Sequence, residues 1–279
     1  MSSLIVARFT LKEALRKRFF LMAAIAGIVF LALYALGLHF VKGELVSQVS
    51  GGRGLPAGGA NVVYAQLVLA GLFLIHLLGI LVAIAVSVAA ISQEVDEGTV
   101  QLVATKPLGR WEIVAGKWLG MAAVLAVYVL GMGWGVMAVA YYISGFWPAQ
   151  PVIPTLLMLL ASLSFLSLSL LGGSFLPTLA NALLLLTIFG MAFFGGMVEQ
   201  IGALVRSEAM VNIGIGTSLL APTDALWRLA ARMLVPNMGL PTSPFSSITE
   251  PSTWMVAYAG FYACAAFLGA AHVFGRRDL

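Results

Sequence analysis

Residues 62–91 read VVYAQLVLAGLFLIHLLGILVAIAVSVAAI, and after Ser92 residues 93–117 continue with QEVDEGTVQLVATKPLGRWEIVAGK. The first stretch carries no charge and exceeds the ~20 residues that a helix needs to cross a hydrocarbon core of about 30 Å. The second stretch, here called the island (residues 93–117), gathers acids and bases between this apolar run and the next. This alternation predicts membrane-spanning helices joined by one compact charged loop.

The composition of the whole chain supports a membrane location. Of its 279 residues 61% are hydrophobic and 9% are charged, whereas soluble domains carry roughly 25% charged residues. The net charge of +4 comes from basic residues at the ends of apolar runs and gives no reason to expect nucleic-acid binding. A single cysteine excludes an internal disulfide and a cysteine metal cluster, and the three histidines form no ligand motif. We therefore expect an integral membrane protein without a metal site.

Six apolar runs are long enough to cross a bilayer, which predicts an all-α polytopic protein with a single transmembrane domain over residues 1–279. The short break between the fourth and fifth runs contains Gly172, Gly173 and Pro177, and these residues predict a tight hairpin. The first run follows a long charged stretch and is too long for a signal-peptide core, so we expect it to be retained. The six predicted spans are residues 19–40, 62–91, 118–143, 153–171, 174–198 and 253–274.

Basic residues between the spans predict the orientation. With six spans, both chain ends and the island lie on the same side, and that side holds ten of the 15 Lys and Arg residues. Because basic residues accumulate on the cytoplasmic side of membrane proteins, both termini and the island are expected in the cytoplasm. The chain would then be a multi-pass protein of the cytoplasmic (inner) membrane.

Two amphipathic helices are predicted outside the spans. Residues 1–18 combine an apolar face with basic residues and are expected to lie on the cytoplasmic membrane surface, although they would also suit a simple extension of the first span. Residues 224–234 place Arg228 and Arg232 four positions apart, opposite an apolar face. Thr223 suits the N-cap of this helix and Pro236 its end. We expect it at the outer interface, as a lid on the bundle.

The island itself contains a short helical pattern. Residues 99–105 have one apolar side and stop before Pro107, and Arg110 opens the next helix after a turn at Gly109. So short a helix is not stable alone and needs the groove of a partner.

This segment resembles the membrane subunit of the ABC-2 class of ABC transporters. That family carries an acidic pair, Gly-Thr, leucine, a basic residue before Pro, an arginine, and Gly-Lys at the head of the third span. The sequence departs from the pattern at Val103, where a second leucine is common, and at Gly109, where serine is usual. Within the family it is most similar to permeases of the group that serves multi-copper enzyme maturation, as in nitrous-oxide reductase assembly. The motif positions are filled by Glu94, Glu97, Gly98, Thr99, Leu102, Lys106, Pro107, Arg110, Gly116 and Lys117.

The resemblance implies that the island is a coupling helix, which docks on a separate ATP-binding subunit. It implies two such subunits, which hold ATP and Mg, and a second copy of the permease or a sister permease. The substrate path would lie between the permeases, walled by spans such as the second and fifth. The alternative is an ordinary solvated loop. The residues to which the resemblance assigns coupling are Glu94, Asp96, Glu97, Gly98, Thr99, Leu102 and Arg110.

The chain has no phosphate-binding loop of its own. The string Gly116-Lys117-Trp118 lacks both the following Ser or Thr and the earlier glycine, so no ATPase activity and no cofactor are expected in this chain. His76 and Asn181, inside the second and fifth runs, are candidate pathway residues, although polar groups at such depth more often join neighbouring helices. Two other functions stay open: a scaffold or assembly factor that transports nothing, and a membrane-embedded enzyme dependent on a residue such as His76 or Glu199.

Overall fold

The computed structural model describes residues 6–10, 18–50, 59–88, 90, 110–235 and 252–276. Within these ranges the regular structure is helical. Residues 6–10 are helical, and eight longer helices follow. The eight helices are α1 (Arg18–Ser50), α2 (Gly59–Ser87), α3 (Arg110–Ser144), α4 (Val152–Gly173), α5 (Thr178–Val205), α6 (Glu208–Leu220), α7 (Thr223–Leu234) and α8 (Trp254–Arg276).

Six of these helices, α1 to α5 and α8, are long and apolar enough to cross a membrane. The prediction of an all-α polytopic protein with six spans is therefore confirmed. The helices often extend beyond the predicted spans: α1 runs to Ser50 although the first span was predicted to end at residue 40. Hydropathy marks the part of a helix that suits lipid, whereas the helix itself continues until its backbone is interrupted. Residues 41–50, beyond the predicted first span, are therefore helical.

Helix α4 forms the centre of the bundle. It packs against α2, α3, α7 and α8, and Phe165, Leu166 and Leu170 are fully buried in the core. By contrast, α1, α5 and α8 direct large apolar side chains outward, as at Leu33 and Phe194. An apolar side chain gains nothing by exposure to water, so these outer faces are suited to lipid or to another membrane protein.

The fourth and fifth spans form the predicted hairpin. Only residues 174–177 separate α4 from α5, and the amides of Ser174 and Leu176 bond back to the carbonyls of Leu171 and Gly172. A side chain at position 172 would overlap the amide of Asn181. Glycine is therefore required for the two helices to approach each other at this turn.

Helices α6 and α7 fold back into the bundle. Helix α6 runs antiparallel to α5, since Gly202 faces Met210 while Gly195 faces Thr217. Gly195 lies about 15 Å before the end of α5, at 1.5 Å of rise per residue. Helix α7 then runs back toward the segment between α3 and α4. The carbonyl of its last residue, Leu234, accepts a hydrogen bond from the amide of Ala149 in that segment at 3.2 Å. We call α6 and α7 the re-entrant hairpin.

The structure confirms a helix over residues 224–234 but contradicts the exposure predicted for Arg228, and the place of the helix at the outer interface stays a prediction. Helix α7 covers residues 223–234, but Thr223 is its first helical residue and Pro222 occupies the cap position. Arg228 is 2% exposed instead of lying on a polar outer face, whereas Arg232 is exposed. The four-residue spacing of the two arginines suggested a surface helix because the sequence does not display the acids that Arg228 meets. Pro236 lies outside the described residues.

The predicted surface helix of residues 1–18 is described only at residues 6–10 and from Arg18 onward. The helical residues 6–10 lie against α3 at Gly120, where an added side chain would meet Ala7 and Thr10. Its placement on the membrane surface stays a prediction.

Candidate functional site

Most of the island lies outside the described residues. This applies to six of the seven proposed coupling residues. The seventh, Arg110, is the first residue of α3, in agreement with the predicted start of the third helix at this position. The coupling role of the set stays a prediction. The six residues outside the described ranges are Glu94, Asp96, Glu97, Gly98, Thr99 and Leu102.

The C-terminal end of the island, which we call its base, is hydrogen-bonded to the segment after α2, and the residue that follows it is hydrogen-bonded to α4. Lys117 is buried in α3, and its Nζ donates a hydrogen bond to the carbonyl of Ala90, just beyond the end of α2, at 2.5 Å. Next to it, the indole Nε1 of Trp118 donates to Ser167 Oγ of α4 at 2.9 Å. A cation near the last carbonyls of a helix is favourable because it meets the negative end of the helix dipole. The two chain segments that carry the island are thus fixed to each other and to α4.

A polar cluster lies where the re-entrant hairpin meets α5. The guanidinium of Arg228 binds the carboxylate of Glu199 through two parallel hydrogen bonds, Nη1 to Oε1 at 2.6 Å and Nη2 to Oε2 at 2.7 Å. Its Nε lies 2.9 Å from Oδ2 of Asp224, one helical turn earlier, in an ion pair without hydrogen-bond alignment. All three side chains are largely buried. Paired parallel bonds of this kind are among the strongest polar contacts in proteins.

Two glycines make room for this cluster. A side chain at Gly196 would overlap the Asp224 carboxylate, and a side chain at Gly214 would overlap the Cβ atom of Glu199. The cluster therefore depends on close approach of α5 and both helices of the re-entrant hairpin. A sequence signal for it existed, because Glu199 is an acid inside an apolar run, and a buried acid requires a basic partner.

His76 lies beside the turn between α6 and α7, which we call the tip of the re-entrant hairpin. It is 2% exposed, its ring centroid is 5.6 Å from that of Trp227, and the backbone of Thr223 is its hydrogen-bond partner. Its Nδ1 atom has no hydrogen-bond partner in the part of the chain that the structure describes. The contact with a neighbouring helix agrees with a packing role, and a pathway role stays a prediction.

Asn181 is fully buried in the hairpin of α4 and α5. Its Nδ2 donates a hydrogen bond to the carbonyl of Ser169 at 2.9 Å, which joins the two helices near their turn. The structure therefore does not bring Asn181 together with His76, which adjoins the re-entrant hairpin. A role for Asn181 in a pathway stays a prediction too.

Among the described residues, no group of three His, Cys, Asp or Glu side chains could hold a metal ion. In the polar cluster, both oxygens of Glu199 are engaged by Arg228. The arrangement is suited to holding helices in place, and it offers no nucleophile beside a base.

Taken together, the helices define a multi-pass membrane protein with buried charged groups at the island base and at the re-entrant hairpin. A family model described as ABC-2 family transporter protein matches residues 4–279, and the chain belongs to this family. The resemblance inferred from the island is thereby confirmed.

Two curated relatives carry the name Probable ABC transporter permease protein NosY. The one from Stutzerimonas stutzeri is 33% identical over 141 residues, which are 50% of this chain and 46% of the relative. The one from Pseudomonas aeruginosa is 32% identical over 178 residues, which are 64% of this chain and 58% of the relative. The matched part of the chain thus spans about half the length of these curated relatives.

Proposed function

We propose that this chain is the permease subunit of an ABC transporter, and that ATP hydrolysed by a separate subunit drives it. The observation that carries the proposal is the family match over residues 4–279. It is supported by the place of the island, which joins two spans whose ends are fastened to each other through Lys117. The chain has no ATP site in this proposal, and ATP and Mg bind to the partner.

Coupling in this proposal runs through the island. Each of two permeases, identical or sister chains, docks one island on one of two ATP-binding subunits. The docking face consists of Glu94, Asp96, Glu97, Gly98, Thr99, Leu102 and Arg110. Closure of the ATP-binding subunits displaces the island. Because Lys117 joins the base of the island to the end of α2, and Trp118 joins it to α4, the displacement reaches three spans together.

The substrate path lies between the two permeases, with α2 and α5 as walls, and His76 and Asn181 are the candidate polar residues along it. The other residues of these two helices are mostly apolar. The cargo is therefore amphipathic or hydrophobic, or the helices transmit force to another membrane component. Export is the direction that the family suggests.

Both termini and the island face the cytoplasm in this proposal, and the re-entrant hairpin faces outward. Single cysteines test the orientation in a Cys264→Ser background. A membrane-impermeant thiol reagent added from outside should label Leu55→Cys in intact cells and should leave Ala104→Cys unlabelled until the membrane is opened. The reverse pattern would invert the topology.

The partner is tested by affinity purification of the chain from its native membrane in mild detergent, with identification of co-purifying proteins and an ATPase assay. A soluble subunit with a phosphate-binding loop should co-purify with the chain. It should be lost when Glu97, Gly98 and Thr99 are replaced, and kept in the matched Arg232→Met variant. If membrane complexes survive and no ATPase co-purifies, the scaffold function replaces the permease function. ATP hydrolysis by the isolated chain would contradict the proposal.

A further inference from the structure

A small cavity lies between α2, α5 and the tip of the re-entrant hairpin. Its volume is about 10 Å³, close to the roughly 10–15 Å³ that one water molecule requires. His76, Thr223 and Asp224 contribute its polar lining, and the aromatic rings of Phe73, Phe189, Phe193 and Trp227 surround them. It is therefore a polar recess of the size of one water within aromatic walls.

Two buried polar atoms of this lining can accept a hydrogen bond. Nδ1 of His76 has no hydrogen-bond partner among the described residues, and Oδ2 of Asp224, which lies 2.9 Å from Nε of Arg228 in an ion pair, has a second lone pair to offer. A buried polar atom without a hydrogen bond is costly, and native proteins rarely keep one unless water or a ligand supplies the partner. Two acceptors in the lining of one cavity indicate a shared partner.

The chemistry of these atoms determines what the partner must be. Since Nδ1 has no partner, the bond between His76 and the Thr223 backbone belongs to Nε2, and a backbone carbonyl accepts that bond only if Nε2 carries the proton. Nδ1 of the neutral ring is then an acceptor, and the oxygen of an ionised Asp224 is an acceptor as well. Two acceptors do not bond to each other directly. They need a small molecule with two hydrogen atoms to donate.

We propose that this cavity binds one water molecule, which donates one hydrogen bond to Nδ1 of His76 and the other to Oδ2 of Asp224. The water adds a second link between the second span and α7, beside the bond from His76 to the backbone of Thr223. The site depends only on the contacts of α2, α5 and α7, so a failure of the transport proposal, in which His76 lines the path, would leave it intact.

Solid-state NMR of the full chain in lipid nanodiscs tests the proposal. Replacement of His39 and His272 by Gln leaves His76 as the only histidine, so the ¹⁵N signals of a histidine-labelled sample belong to it alone. We expect a protonated Nε2, an unprotonated Nδ1, and a cross-peak from Nδ1 to a water proton that persists at neutral pH. A protonated Nδ1 could not accept a hydrogen bond from water and would overturn the proposal, as would an unprotonated Nδ1 without a water cross-peak.

A pair of variants shows whether the water cross-peak of Nδ1 comes from the bridging water or from bulk solvent. In Asp224→Asn the side-chain amide supplies its own donor, so the water cross-peak of Nδ1 should fall by half or more. In the matched variant Glu208→Gln, which changes an exposed acid of α6, the cross-peak should be unchanged. Equal cross-peaks in both variants would show that the observed water is not the bridging one. If Asp224→Asn does not fold, the spectra of the His76-only chain still decide the question.

Discussion

The island base and the re-entrant hairpin each place a cation within an apolar bundle, but they stabilise it differently. Lys117 is buried close to the end of α2, and its ammonium meets the backbone carbonyl of Ala90. Arg228 is buried beside α5 and meets two carboxylates. The partner of Lys117 is a neutral backbone carbonyl just beyond a helix end. The partners of Arg228 are two carboxylates, Glu199 on α5 and Asp224 one turn earlier on α7. The loss of Arg228 therefore leaves buried negative charge without a cation.

The largest expected effect is therefore at Arg228. Replacing Arg228 by Met leaves Glu199 buried without its bidentate partner, which should cost roughly 3–5 kcal/mol of the free energy of unfolding. Thermal unfolding in detergent measures the loss. Arg232→Met, four residues further along α7 and exposed, is the control and should change the melting temperature little.

A double variant sharpens this prediction. Glu199→Gln together with Arg228→Met removes the guanidinium and one of its two carboxylates and leaves Asp224 in place, so it should recover part of the stability that Arg228→Met loses. If the double variant is less stable than either single variant, the ion pair is not the source of the effect.

The next largest change in stability is expected where α5 and α6 approach each other closely. Gly214→Ala places a methyl group against the Cβ atom of Glu199 and should destabilise the protein by about 1–3 kcal/mol through overpacking. Gly216→Ala, on the same helix with nothing within 4 Å, should instead stabilise by up to about 1 kcal/mol, because alanine is the better helix former. Equal changes in melting temperature for the two variants would contradict this packing.

At the island base the expected loss is moderate. Lys117→Met removes a charged donor from the partly buried carbonyl of Ala90 and should cost about 1.5–3 kcal/mol. Lys42 makes the same kind of bond to the carbonyl of Ile143, but it does so while exposed. Lys42→Met should therefore cost no more than about 1 kcal/mol, the range of exposed ionic contacts. A larger loss at Lys42 than at Lys117 would reverse the comparison.

The smallest effect is at the α4–α5 turn. Asn181→Ala removes the hydrogen bond to the Ser169 carbonyl and should cost about 1 kcal/mol. Thr187 bonds within its own helix to the carbonyl of Leu183 and is exposed, so Thr187→Ala should stay within about 0.5 kcal/mol of the wild type. The difference between the two melting temperatures measures what the helix-to-helix bond of Asn181 adds.

Much of the fold was predictable because it depends on local pattern. Long apolar runs revealed the six spans, Gly172 with Pro177 indicated the α4–α5 turn, and the apolar spacing of residues 224–234 indicated α7. The surroundings of Arg228 were not predictable in the same way. Its spacing from Arg232 is typical of a surface helix, and only the packing of α7 against α5 brings Glu199 within reach.

In the candidate site, too, local sequence patterns were predictable and contacts between distant residues were not. The island motif identified the family, because its residues are contiguous in sequence. The hydrogen bond from Lys117 to Ala90 joins residues on opposite sides of the island, and the neighbourhood of His76 and Asp224 joins α2 to α7. Such pairs are set by tertiary packing, and a pattern within one helix does not display them.

The central claim is that energy enters the bundle through the island, and the most direct measurement is ATP hydrolysis and substrate movement by the reconstituted complex with Glu97→Lys and Gly98→Trp. The account predicts that the variant permease inserts and folds with the wild-type melting temperature, while ATP hydrolysis no longer drives function or the ATP-binding subunit dissociates. A variant that stays coupled, with hydrolysis and function both at the wild-type level, would contradict the account.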